Sequence, residues 1–147
     1  MQIQTSRFGK IDVDHADLLL MPHGLIGFET CRHWILLSTD DESPVAWLQS
    51  VALANVALPV ISPRRFIPEY RARIHKRDLT SLNLHSEDQI YFLCVVSKTG
   101  TTLTANLKSP ILLNSTRHLA AQLVVTDDQP TAIPISLTTA VSARRAA

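Results

Sequence analysis

Thr101-Thr102-Leu103-Thr104-Ala105-Asn106-Leu107-Lys108-Ser109-Pro110-Ile111-Leu112-Leu113-Asn114-Ser115-Thr116 is the stretch on which the reading of the fold turns. Its first half alternates. Leu103, Ala105 and Leu107 fall on one face and Thr102, Thr104, Asn106 and Lys108 on the other, the period of a half-buried strand. Ser109-Pro110 then interrupts the ladder, because proline has no N–H to donate and fixes its own φ. Ile111-Leu112-Leu113 resumes at once. Strand, break and strand predict a corner, where a sheet bends or passes between layers. Asn106 is placed to hydrogen-bond backbone groups that the break leaves unpaired. A structural corner accounts for Asn106 and Pro110 without any partner, and a contact role stays open beside it.

Working outward, residues 90–96 read as a fully buried strand, turned into the central stretch by Lys98-Thr99-Gly100. Residues 2–14 read as a hairpin turning at Gly9. Residues 18–21 read as a buried strand, ended by a tight loop at 22–29. Gly24 and Gly27 supply positive φ there, and Leu25 and Phe28 pack inward. Residues 34–37, 45–51 and 56–61 read as further strands, with a charged turn at 40–44 and a short helical turn at 52–55. Residues 70–77 alternate strongly enough to predict a strand, Asp78 caps a short helix through Leu84, and 119–126 is the last strand. No core-facing periodicity appears from Pro134 on, and 136–147 is expected to be a flexible tail. The pattern as a whole indicates an all-β barrel or sandwich with one or two short helices.

A chain of 147 residues is long enough for one domain with its own apolar core. The formal charge of +1 creates no global field toward nucleic acid or membrane. The N-terminus lacks the basic and apolar regions of a signal peptide, and no apolar run approaches a membrane span, so a cytoplasmic protein is expected. Cys31 and Cys94 have no paired spacing and read as reduced thiols. The six histidines are scattered without ligand spacing, so neither metal nor cofactor is expected. Cys31 and His33 would share a face on a strand, the geometry of a thiolate–imidazole pair, but a solvated turn explains them as well. Nothing in the pattern requires an enzyme.

The segment 64–77 stands apart. Arg64, Arg65, Arg71, Arg73, Lys76 and Arg77 are six of the fourteen basic residues, with Phe66 and Tyr70 among them. On a strand, Arg71, Arg73, His75 and Arg77 share a face opposite Ala72 and Ile74. Two readings follow: an RNA-binding module that uses Arg71, Arg73 and Arg77 beside exposed aromatics, or a solvated face that keeps an edge strand from pairing.

Several motifs in order resemble the FliW family of flagellar assembly factors. Residues 8–13 resemble its opening hairpin, and residues 22–29 its Pro-x-Gly-Leu-x-Gly-Phe segment. Leu48-Gln49-Ser50 resembles its Leu-Gln-Ser motif, and residues 66–70 its aromatic-Pro-acid-Tyr loop. Residues 104–114 resemble its Ala-Asn-Leu-x-Ala-Pro-Ile-x-Ile-Asn segment. The resemblance spans about residues 3–134 and implies a small, flattened antiparallel β-barrel over 1–135. It also implies a non-enzymatic regulator that binds the RNA-binding protein CsrA, antagonises its repression of flagellin mRNA, and binds flagellin by partner switching. The chain is expected to be a monomer on its own, without membrane contact or direct nucleic-acid binding. Glu69, Tyr70, Asn106, Lys108 and Ser109 are the expected partner contacts, chosen for presumed exposure as well as resemblance. Relatives are often acidic where this chain is balanced, so electrostatic steering toward a basic RNA binder would be weaker.

Overall fold

The computed structural model describes residues 1–38 and 42–136. Strands β1 (Gln2–Thr5) and β2 (Gly9–Asp12) form the expected hairpin, with Gly9 at a φ of 71° in the turn. The other strands are β3 (Leu19–Leu20), β4 (His33–Leu37), β5 (Val45–Ser50), β6 (Ala57–Ile61), β7 (Ile90–Thr99), β8 (Thr102–Ala105), β9 (Ile111–Asn114), β10 (Leu119–Gln122) and β11 (Ile133–Ile135). These make one nine-stranded sheet in the order β11-β8-β7-β6-β5-β4-β3-β10-β9, and β9 pairs back onto β7. That last pairing closes a ring through β7, β6, β5, β4, β3, β10 and β9, which removes the edge β9 would otherwise carry and leaves β11 as an edge strand. Pairing is antiparallel except between β3 and β10, where Leu119 lies opposite Leu20 in parallel. The fold is the expected all-β one, and its short helices are 3-10 turns at His15–Asp17, Pro63–Arg65 and Lys76–Leu82.

Every strand of the ring except β7 gives a buried residue to the main core, which includes Leu19, Trp34, Leu48, Val60, Ile111 and Ala120; β7 adds the partly buried Leu93 and Val95. A second cluster lies where β7 leaves the ring for β8 and β11, built on Ile61, Tyr70, Cys94, Val96, Ala105 and Leu107. Leu82 of the last 3-10 turn packs on Leu112, Ala121 and Leu123, and Ile3, Val13 and Ile35 seat the hairpin.

Several sequence expectations are corrected. Strand β7 is not fully buried, since Ile90 and Tyr91 face outward at 38% and 51% exposure. Residues 70–75 alternate in burial but form no strand ladder; only residues 71 and 73 bond to the 126–129 turn. The chain then enters a 3-10 turn whose N-cap is His75, so Asp78 lies inside its first turn. The short helical turn expected at 52–55 is replaced by a bend at Ala52 and a turn at Ala54 and Asn55. Strand β10 ends at Gln122, because Leu123 and Val125 donate instead to the Pro110 and Lys108 carbonyls. Pro134 lies inside β11, and Ile133 and Ile135 pack on the second cluster, so no frayed tail begins there. The expected tail at 136–147 falls outside the described residues apart from Ser136, as do Asp40 and Asp41 of the charged turn.

Candidate functional site

Strands β8 and β9 lie on the same edge of β7, Ala105 opposite Val96 and Ile111 opposite Leu93. Between them, residues 106–110 face only Cys94 and Val95 on the partner strand. The predicted corner is therefore a large bulge, and its extra residues must find hydrogen bonds outside the ladder. The Asn106 carboxamide oxygen accepts from the Lys108 and Ser109 N–H groups at 3.0 and 3.1 Å. Leu107 is driven inward to 3% exposure; its N–H donates to Pro130 O and its carbonyl accepts from the Tyr70 hydroxyl at 2.9 Å. The Lys108, Ser109 and Pro110 carbonyls accept from Val125 N, Gln122 Nε2 and Leu123 N. Lys108 Nζ donates to Asp127 O at 2.8 Å.

Four of the five expected contact residues thus meet at one place. Tyr70, however, is not an exposed anchor: it is 3% exposed and stands edge-on to Phe92. Burial, then the charges of Cys94 and Asp127, push its hydroxyl above the ordinary phenol range, so it is a neutral donor. Asn106 is half-buried and spends its oxygen on the bulge. Lys108 and Ser109 are half-exposed, and Glu69 is exposed in the loop before Tyr70.

Beside the bulge sits the loop at 22–29. Gly24 holds a φ of 63°, and a Cβ there would meet Phe28 O and lie 2.7 Å from Glu29 Cα. The loop buries Leu25 and half-buries Phe28 as expected, and leaves Ile26 62% exposed. Gln122 links the two features, accepting from Ile26 N at 2.9 Å while donating to Ser109 O at 3.1 Å. A depression of about 270 Å³ opens between them, lined in part by Ile26, Phe28, Ser97, Asn106 and Gln122. An exposed aliphatic rimmed by amides and hydroxyls is the anatomy of a small protein-contact patch. Sequence reasoning missed Ile26 and Gln122 because 96 residues separate them.

The other candidate chemistries do not assemble. Cys31 is 3% exposed in the main core while His33 points to solvent, so they share no face. Burial pushes the Cys94 thiol up to about 12. Among the described residues no cluster of His, Cys, Asp or Glu side chains could hold a metal ion. No described helix is long and apolar enough to cross a membrane. In the basic segment, Tyr70 and Phe66 pack into the second core, so the stacking platform of the RNA reading is missing.

A polar network also escaped the sequence reading. The Asp88 side chain is fully covered and accepts from Arg117 Nε at 2.8 Å, Asn114 Nδ2 at 2.9 Å and His85 N at 3.0 Å. Burial raises its pKa, but the hydrogen bonds from Asn114, Arg117 and His85 and the Arg117 charge outweigh it, leaving it at about 2. Asn114 also donates to Leu82 O at 3.0 Å and so ties β9 to the last 3-10 turn.

Comparison with known proteins agrees with this architecture. The family model described as FliW protein matches residues 2–135. A flagellar assembly factor FliW of Bdellovibrio bacteriovorus is 36% identical over 130 residues, 87% of this chain and 74% of that protein. One from Lachnoclostridium phytofermentans is 37% identical over 132 residues, 86% of this chain and 85% of that protein. A crystal structure of the flagellar assembly factor FliW superposes with a TM-score of 0.84 at 25% identity, over 91% of this chain and 96% of that one. The bulge, the glycine loop and the closed ring occupy the matched span, and the chain belongs to the FliW family.

Proposed function

We propose that this chain is a non-catalytic cytoplasmic regulator of flagellar assembly. In this reading it binds CsrA, relieves CsrA's repression of flagellin mRNA, and exchanges CsrA for flagellin. Each partner lowers the other's apparent affinity by mass action. The observation that carries the reading is the extent of the family match, which covers the barrel from β1 to β11 at residues 2–135. The contact patch fits it: Ile26 supplies the apolar centre, Lys108 and Ser109 of the bulge supply polar groups beside it, and Glu69 is proposed as a separate exposed contact. Tyr70 and Asn106 serve the same surface by holding the bulge in shape. The protein acts as a monomer of one FliW-like body over 1–135.

The test is capture of purified CsrA and purified flagellin on the immobilised chain, repeated with Ile26→Glu. Retention of both proteins, weakened by the substitution, is the expected result. Failure to retain either one contradicts the reading.

A further inference from the structure

The basic segment carries a feature that the contact patch does not use. From Arg71 to His75 exposure alternates, with Arg71, Arg73 and His75 outward and Ala72 and Ile74 turned toward the core. One edge of this extended run is bonded. Gln129 Nε2 donates to Arg71 O at 2.9 Å, Asp127 Oδ1 accepts from Arg73 N at 3.1 Å, and Thr126 N donates to Arg73 O at 2.7 Å. In an extended chain, successive residues aim their N–H and C=O groups at opposite edges. Ala72 and Ile74 therefore aim theirs away from the 126–129 turn, and among the described residues no hydrogen bond reaches their main chain. The run is a short extended edge bonded on one side; on the other, Arg64 Nε holds the Tyr70 carbonyl at 3.2 Å, and the main-chain groups of Ala72 and Ile74 have no bond among the described residues.

Its charge selects the occupant. No hydrogen bond or ion pair among the described residues engages the Arg71 or Arg73 side chains, and Arg77 has only a 4.0 Å contact with the exposed Asp78. The nearby carboxylate of Asp127 is held on the bonded edge by Gln129 and the Arg73 N–H, and the Arg73 charge also acts on it, so Arg71 is the cation with no acidic neighbour shown. Side chains two apart on a strand stand roughly 6.6 Å apart, which is also the spacing of alternate side chains on any added strand. Directly opposed unlike charges stabilise such a pair, and like charges reject it.

We propose that the edge at Ala72 and Ile74 takes an extended acidic peptide as an added strand. Its main chain bonds these two residues, and its alternate carboxylates face Arg71 and Arg73. Main-chain bonds supply affinity and the arginines supply selectivity, the division found where peptides add to sheet edges. The bound edge is prepaid in order by the 126–129 turn, which limits the entropy lost on binding. The inference stands apart from the CsrA reading, since neither partner is needed for its test.

The probe is a fluorescein-labelled octapeptide of alternating Glu and Val, titrated with the full chain by fluorescence anisotropy at low salt. Three controls accompany it: the same peptide N-methylated along one edge, the chain carrying Arg71→Glu and Arg73→Glu, and a single-stranded RNA octamer. Circular dichroism confirms that the double variant is folded. Binding weakened about tenfold or more by N-methylation and by the double variant supports the proposal. Absence of peptide binding, binding indifferent to N-methylation, or tighter binding of the RNA overturns it.

Discussion

Tyr70 and Asn106 show how single residues make a bulge tolerable. Tyr70→Phe keeps the ring but strips the Leu107 carbonyl of its donor inside the second core. A cost of about 1–3 kcal/mol is expected, measured by urea unfolding with an unchanged slope. Asn106→Ala leaves two N–H groups without their acceptor and should cost about 0.5–2 kcal/mol, as the loss of a helix cap does. Asn106's role was legible because its targets lie two and three residues on, within reach of any Asx turn. Tyr70's was not, since Leu107 is 37 residues away and only the assembled sheet brings them together. Gln49 repeats the lesson. In the sequence it is one polar position of a strand, yet in the fold it is fully buried and its Nε2 donates to the Ser50 and Val56 carbonyls at 3.0 and 3.1 Å. Both thiols are buried, so neither should react with a maleimide at pH 8 until denaturant is added.

At the scale of elements, alternation located β8, β9 and the break between them, but it could not say what each run pairs with. Residues 70–75 alternate because Ala72 and Ile74 pack on core clusters, a constraint that produces period two without a ladder. Strand β11 was missed for the opposite reason. Three residues with a central proline carry too little pattern, and an edge position tolerates the missing N–H. The loop after the last 3-10 turn is anchored to β9 and Arg117 by Asp88, which no local motif marks. Its carboxyl is held near 2 against an ordinary 3.8, so it stabilises the fold fully above about 4, and that contribution is lost as pH falls toward 2. Asp88→Asn should lower the melting temperature at neutral pH and flatten its fall between pH 4 and 2, followed by circular dichroism. A variant that keeps the wild-type acid dependence would show that other carboxylates govern it.

The whole molecule is a closed strand shell bearing two distinct outer features: an aliphatic patch beside the bulge and a basic edge at 71–75. Closure was expected from the family resemblance, but the strand pattern alone left barrel and sandwich open, because closure depends on β7 being long enough to pair β9, β6 and β8 in succession. The charge asymmetry was legible, since six cations crowd into 64–77 of a chain whose formal charge is +1. Ile26 is exposed and belongs to none of the core clusters, so Ile26→Glu should leave the melting temperature within a degree or so while weakening partner binding. The proposed role as a switch between partners is tested most directly by CsrA bound to a labelled flagellin mRNA leader, titrated with the purified chain. The account predicts that the RNA is released as the chain is added and is bound again when flagellin is supplied. RNA that stays bound at saturating chain would contradict it.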